Sequence, residues 1–246
     1  MGARCMRLLD DRFDRRSVAW FFRLYGIALV VDVAAELTAG VWGVHTGALY
    51  PWRHLGVIPL YPARGLALEW ALRVLGGLAL ALGARHVRVV RLGVRVLVPV
   101  LFVAVLERYS NHGVLLLLIA LFLSIQPPDL SRPSFDEEPH PALGLVRAQL
   151  VIVYAFSALN KLTHGFASGD SLANLLPCSL PSARVLSWGV IAAELALPIV
   201  LLRLPRAGLV GVVLLHLGFA LLVPGVWSFA LAMIAMAALF RRETPR

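Results

Sequence analysis

Lys161 is the only lysine in a chain of 246 residues whose other 22 basic residues are all arginine, and it lies in the stretch YAFSALNKLTHGFASGDS at 154–171. Arginine does not give up its proton in a protein, whereas a desolvated lysine lowers its pKa readily and works as a base. The composition therefore favours a role that needs a deprotonatable amine at this position. A second reading stays open beside it: a lysine at a helix end with its stem along apolar surface and its amine among lipid head groups. Tyr154 shares a helical face with Leu150, Ala158 and Lys161 and sets a phenol one to two turns deeper; a tyrosine near a membrane interface also serves as an aromatic-belt residue. A second polar constellation, ERYSNHG at 107–113, contributes Ser110, Asn111 and His112.

The elements that hold these residues are set by the solvent. The chain is 59% apolar and 15% charged with a mean hydropathy of +0.80, far from the roughly 45–50% apolar and roughly 25% charged composition of soluble domains. This is the composition of an all-α, polytopic transmembrane helical bundle. Its basic residues set topology and meet anionic lipid, and no nucleic-acid partner is expected. Eight candidate spans fall at about 18–42, 66–84, 89–106, 112–126, 143–162, 184–204, 207–223 and 226–240, separated by proline and glycine clusters such as QPPDLSRP, LPRAG and VPG. With the N-terminus inside, 16 arginines fall on the cytoplasmic side and 5 basic residues outside, Arg23 and Arg73 lying within spans. That asymmetry predicts both termini in the cytoplasm and a multi-pass cell-membrane protein whose site is on the non-cytoplasmic side. The domains expected are a cytoplasmic basic segment 1–17, a transmembrane domain 18–240 and a cytoplasmic tail 241–246. The first apolar run lacks a cleavage pattern, so the N-terminus is expected to stay on the chain. Cys5 and Cys178 fall on opposite sides, and the histidines lack ligand spacing, so neither a disulfide nor a metal is expected.

This topology puts 107–113 and 160–165 on the same side. The fourth span covers about 20 Å of a hydrocarbon core about 30 Å thick, which leaves Asn111 and His112 below the surface in a recess, or else thins the bilayer or sits under neighbouring helices. Asp32 and Arg73 fall near mid-membrane on adjacent spans and are expected to pair as scaffold. Glu36, Glu69 and Glu194 lie toward the outer side, where proton relay by a proton-coupled transporter is an alternative, although the halves show no repeat. The loop FDEEPHP at 135–141 is a solvated loop or a partner contact.

AQLVIVYAFSALNKLTHGFASGDS resembles the motif of the HTTM domain, the membrane module of vitamin K-dependent gamma-glutamyl carboxylase. ERYSNHGVLLLLIALFLSI resembles that family's asparagine-histidine segment. WFFRLYGIALVVDV resembles its first helix, and GVIAAELALPIVLLRLPRAGLVGVVLLHLGFAL its later pattern; together they run from about Val18 to Phe240. The resemblance, closest to short bacterial-type members, implies that Lys161 deprotonates a reduced quinone, either vitamin K hydroquinone or menaquinol. It further implies a carbon–carbon lyase and quinol epoxidase: reaction with O₂ gives an epoxide and a strong base, which takes a glutamate gamma proton before CO₂ adds. Asn111 and His112 match the Asn-His pair, whose histidine the family implicates in carboxylation, and Glu194 and His216 match recurring positions with a lining or structural role. Asn160, grouped with Tyr154 as cavity-lining, stands where the carboxylase commonly has a second lysine, and Phe166 is the aromatic nearest its tryptophan. The carboxylase's large extramembrane domain has no counterpart here, so either a separate protein recognises the peptide or protein substrate or that substrate bears no propeptide. The other reading is a non-catalytic or differently acting maturation factor for a secreted peptide.

Overall fold

The computed structural model describes residues 12–41, 63–107, 110–176, 178–223 and 225–240. Cys5, Arg53, Arg108 and residues 1–11, 42–62 and 241–246 lie outside them. The helices are α1 (Arg15–Thr38), α2 (Ala63–Gly83), α3 (Val87–Glu107), α4 (Asn111–Ile125), α5 (Pro141–Thr163), the four-residue α6 (Asp170–Ala173), α7 (Leu180–Arg203), α8 (Pro205–Leu222) and α9 (Trp227–Ala238), with 3₁₀ turns at Pro133–Asp136 and Phe166–Ser168. No strand occurs among the described residues.

Local chemistry sets several of the starts. The Asp14 carboxylate accepts from the Ser17 amide at 2.9 Å and caps α1, and the Ser110 hydroxyl accepts from the Gly113 amide at 3.0 Å and caps α4; each satisfies an amide with no partner inside its helix. Pro141 and Pro205 open α5 and α8, where a missing N–H costs nothing. Six helices (α1, α2, α3, α5, α7 and α8) are long and apolar enough to cross a membrane, while α4 and α9 are shorter apolar helices of 15 and 12 residues. The chain is a multi-pass membrane protein.

Successive helices pack on one another from α1 to α5, then α5 on α7, α7 on α8, α8 on α9, and α9 back on α1. α9 also meets α4 and α5, so it acts as the hub of the bundle. Its sequence WSFALAMIAMAA explains the placement: small alanines let neighbouring backbones approach where no water drives helices together, and Ala230 and residues 232–240 are all buried. α1 and α2 meet through glycines. A Cβ on Gly77 would stand 2.7 Å from the Gly26 carbonyl, so this crossing needs the bare backbone.

Side-chain contacts fix the direction of the helices. Arg147, near the start of α5, donates to the Leu239 carbonyl at 2.9 Å and lies over the rings of Phe13 and Phe240 at 4.3 and 5.3 Å. The start of α5 therefore lies at the end of the bundle where α1 begins and α9 finishes. Arg147, which the topology count places on a cytoplasmic surface, is buried and serves instead as a bolt through that end. His112, at the start of α4, touches Asp32, which lies toward the finish of α1. α4 and α5 thus run oppositely, and His112 and Lys161 share the far end of the bundle.

Candidate functional site

The face of α5 that carries Tyr154, Ser157 and Lys161 looks onto α7 and α8. The Lys161 amine donates to the Ser157 hydroxyl at 2.6 Å and to both oxygens of Glu194 at 2.8 and 2.9 Å. Ser157 in turn donates to Glu194 at 3.1 Å, closing a triangle of amine, hydroxyl and carboxylate. Glu194 is nearly buried at 6% side-chain exposure, whereas Lys161 keeps 20%. The amine stands 5.6 Å from the centre of the Phe166 ring. Phe166 is set by a loop that turns through Gly165 and Gly169 at φ 78° and 89°; a Cβ on Gly169 would stand 2.5 Å from the Arg184 amide, which keeps this loop tight on α7. Four residues beyond Glu194, Pro198 interrupts the ladder of α7; proline has no N–H to donate to the carbonyl four residues back, so the Glu194 backbone loses its ordinary helical partner.

Deeper on the same α5 face, the Tyr154 hydroxyl and His216 Nε2 are 2.9 Å apart, both residues being buried. A phenol and an imidazole in this contact share one proton, and the tautomer decides which side donates. The Phe229 ring meets His216 edge-on at 5.5 Å. Lys161 is within electrostatic reach of His216, and Glu194 of Tyr154, so the two contacts form one network across α5, α7 and α8.

A second network surrounds Arg73. Its guanidinium is 3.2 Å from Asp32, 2.7 Å from Glu36 and 3.2 Å from Glu69, and Trp70 Nε1 donates to Glu36 at 2.7 Å. His112 Nε2 lies 3.3 Å from the other Asp32 oxygen. The sequence reading treats Asp32 with Arg73 as an isolated pair; the structure adds two more carboxylates and an imidazole. Ser228, fully buried, lies beside Asp32.

The candidate residues thus separate into two groups at one end of the bundle. Lys161, Tyr154, Glu194 and His216 belong to the first; Asp32, Arg73 and His112 belong to the second, beside Asn111, the exposed first residue of α4. Adjacent residues of α9 touch both, Ser228 at Asp32 and Phe229 at His216. Asn160 is exposed and its side chain takes no part in either network among the described residues. Ser157 is a residue the sequence reading does not name, although its spacing of four from Lys161 marks it, and Glu194, expected to line the site, serve the structure or relay protons, is a direct partner of Lys161. Desolvation alone therefore does not describe the lysine, because a carboxylate accepts two hydrogen bonds from its amine. The recess expected beside His112 and Lys161 is not among the two cavities described, which lie elsewhere: one at the finish of α4, and an apolar groove between α2 and α3 with Glu69 in its wall. Among the described residues no histidine, cysteine and carboxylate cluster is arranged to hold a metal, and Cys178 is a free thiol.

No curated protein and no solved structure matches this chain. Residues 11–243 match the family described as HTTM domain. With nearly the whole sequence covered by that match and folded as one helical bundle, the chain belongs to the HTTM-domain family.

Proposed function

We propose that this chain takes a proton from a reduced quinone at Lys161 as part of a vitamin K-dependent carboxylase-like reaction, in which O₂ oxidises the quinol and CO₂ is added to glutamate in a peptide or protein. The observation that carries this reading is the amine itself: the chain's sole lysine, hydrogen-bonded to a hydroxyl and a nearly buried carboxylate, with part of its surface still reachable. The surroundings suit a prenylated ring. Phe156, Leu159 and Leu162 of α5 are exposed toward lipid, which offers a lateral approach, and the Phe166 ring beside the amine gives an apolar wall for an aromatic headgroup.

The Lys161–Glu194 pair acts as one base. With the shared proton on Glu194 the amine is neutral and accepts the quinol proton, and the ammonium so formed steadies the new oxyanion. Ser157 bonds both partners and holds their geometry. Tyr154 with His216 supplies an inner site to which a proton can pass. The second network orients His112 through Asp32, so His112 faces the same end as a further acid or base. By the arginine asymmetry this end is the non-cytoplasmic one, and the peptide or protein substrate reaches it with a separate recognition protein.

The test uses purified protein in lipid nanodiscs with menaquinol or vitamin K hydroquinone and O₂, scoring epoxide by chromatography and labelled CO₂ in a glutamate-containing peptide. Quinol consumption above that of Lys161→Met supports the reading, and its absence sinks it. A second reading, a non-catalytic maturation factor for a secreted peptide, draws on the same pair acting only as a strut between α5 and α7; peptide maturation that survives Lys161→Arg favours it.

A further inference from the structure

A cavity lined by charged side chains lies at the end of the bundle opposite Lys161. About 380 Å³ in volume, it is enclosed by the first turns of α3, the finish of α4 and the 126–140 loop. Its wall carries Arg91, Arg95 and Arg132 against Asp129 and Glu138. The two carboxylates are already engaged. Asp129 accepts from the Ser131 amide and hydroxyl at 3.1 and 2.6 Å and lies 3.5 Å from Arg132; Glu138 accepts from the Ser134 hydroxyl and also lies 3.5 Å from Arg132. His140, at the back, is tied to the Phe135 carbonyl at 2.9 Å and stacked on its ring.

Arg91 and Arg95 stand apart from this. Neither makes a hydrogen bond or an ion pair among the described residues. They are four residues apart on α3, so their side chains leave the helix as neighbours on one face, and two like charges so placed repel. Both line the cavity. Two adjacent guanidinium forks facing an enclosed space match the oxygens of one phosphate, which they can grip with parallel charge-assisted bonds. The volume is at the lower end of the range for small-ligand sites, roughly 300–1,000 Å³, enough for a phosphate ester and its nearest substituent. The rim supplies the other half of an amphiphile's requirement: Ile125 lines the cavity and is 68% exposed, and Leu92, beside Arg91, is 65% exposed, so apolar surface toward lipid begins where the arginines end.

We propose that this cavity binds the phosphate of an anionic lipid headgroup through Arg91 and Arg95, with the acyl chains lying along the exposed apolar side chains at its rim. Basic pockets between helices at a membrane face recognise headgroups in this way. The site is separate from the Lys161 network and does not depend on the reaction proposed for it.

The experiment compares the wild-type protein with Arg91→Gln/Arg95→Gln, and with Arg88→Gln/Arg206→Gln, which removes the same charge from exposed positions outside the cavity. Each is purified in detergent, and bound phosphatidylglycerol or phosphatidylcholine is counted by native mass spectrometry. Wild type is expected to retain phosphatidylglycerol in preference to phosphatidylcholine. Loss of two charge-assisted contacts weakens phosphatidylglycerol binding by about tenfold or more, while the control changes it by less than about twofold. Thermal unfolding in phosphatidylcholine alone checks that both variants fold. Displacement of the lipid by millimolar inorganic phosphate, in wild type only, assigns the site to phosphate in general; retention of lipid under phosphate assigns it to the headgroup. Equal loss in the two double variants, or no preference between the lipids, overturns the proposal.

Discussion

Replacing Lys161 by arginine separates its two roles. Arginine retains a positive charge against Glu194 and forms a bidentate contact with a carboxylate, so the strut between α5 and α7 survives. It does not give up a proton, so a base is lost. Lys161→Met removes both, leaving Glu194 at 6% side-chain exposure with only the Ser157 hydroxyl as a side-chain partner among the described residues. Breaking a buried pair on one side costs about 3–5 kcal/mol; the 20% exposure of Lys161 and the surviving Ser157 bond put this case near the lower end, at about 3 kcal/mol. For a chain of this length that lowers Tm by about 6–12 °C. Thermal unfolding in detergent is expected to show Lys161→Arg within about 1 kcal/mol of wild type, Lys161→Met well below it, and Lys161→Met with Glu194→Gln recovering most of the loss because no unpaired charge remains. Quinol oxidation follows a different order: both single variants fall by at least about a hundredfold, the lower bound for losing a positioned base. Activity in Lys161→Arg above a tenth of wild type refutes the base assignment, and a Lys161→Met protein as stable as wild type refutes the strut.

Arg73 is expected to matter more than any one of its partners. Arg73→Met removes the guanidinium shared by Asp32, Glu36 and Glu69 and costs at least about 3–5 kcal/mol, whereas Asp32→Asn keeps Arg73 paired with two carboxylates and costs about 1–2 kcal/mol; expression yield and thermal unfolding rank them, and the reverse order contradicts the network. Gly26→Ala puts a Cβ 2.7 Å from the Ala81 amide and is expected to cost about 1–3 kcal/mol by forcing α1 off α2, read as a fall in Tm. In the 126–140 loop, the Ser131 hydroxyl with its amide and Arg132 hold Asp129 below the usual carboxylate range, and the Ser134 hydroxyl with Arg132 and His140 does so for Glu138. Carboxylates lowered in the folded state stabilise it above their unfolded values and lose that contribution as pH falls through the folded ones. Amide exchange across 129–138 is therefore expected to stay slow down to about pH 4 and to quicken only below it; quickening near pH 6 counts against these contacts.

The helices were legible in the sequence because lipid demands continuous apolar runs and proline and glycine interrupt them. All eight expected segments coincide with helices, although α9 is short, its last apolar residues turning away at Leu239 and Phe240. The partners were less legible. Helical spacing reveals neighbours on one helix, which is how Tyr154 was placed with Lys161 and how Ser157 was available to be read; it says nothing about Glu194 or His216, which reach α5 from two other helices. Arg147 shows the limit of counting charges. By sequence it is one more arginine near a helix end, and only the approach of Phe13, Leu239 and Phe240 makes it a buried bolt. Gly26 and Gly77 likewise look like unremarkable glycines in apolar runs until α1 and α2 cross there.

The separation of the two networks constrains any chemistry at this end of the bundle. Around Arg73, the three carboxylates of Asp32, Glu36 and Glu69 meet one guanidinium among the described residues. Around Lys161, one carboxylate meets one amine, so the pair is balanced. Proton exchange between an acid-rich cluster and a balanced one requires a connection, and α9 is the element that touches both, through Ser228 beside Asp32 and Phe229 against His216. Phe229 carries no proton, so the route stops at Ser228 unless Asp32 and His216 approach each other or water enters between them.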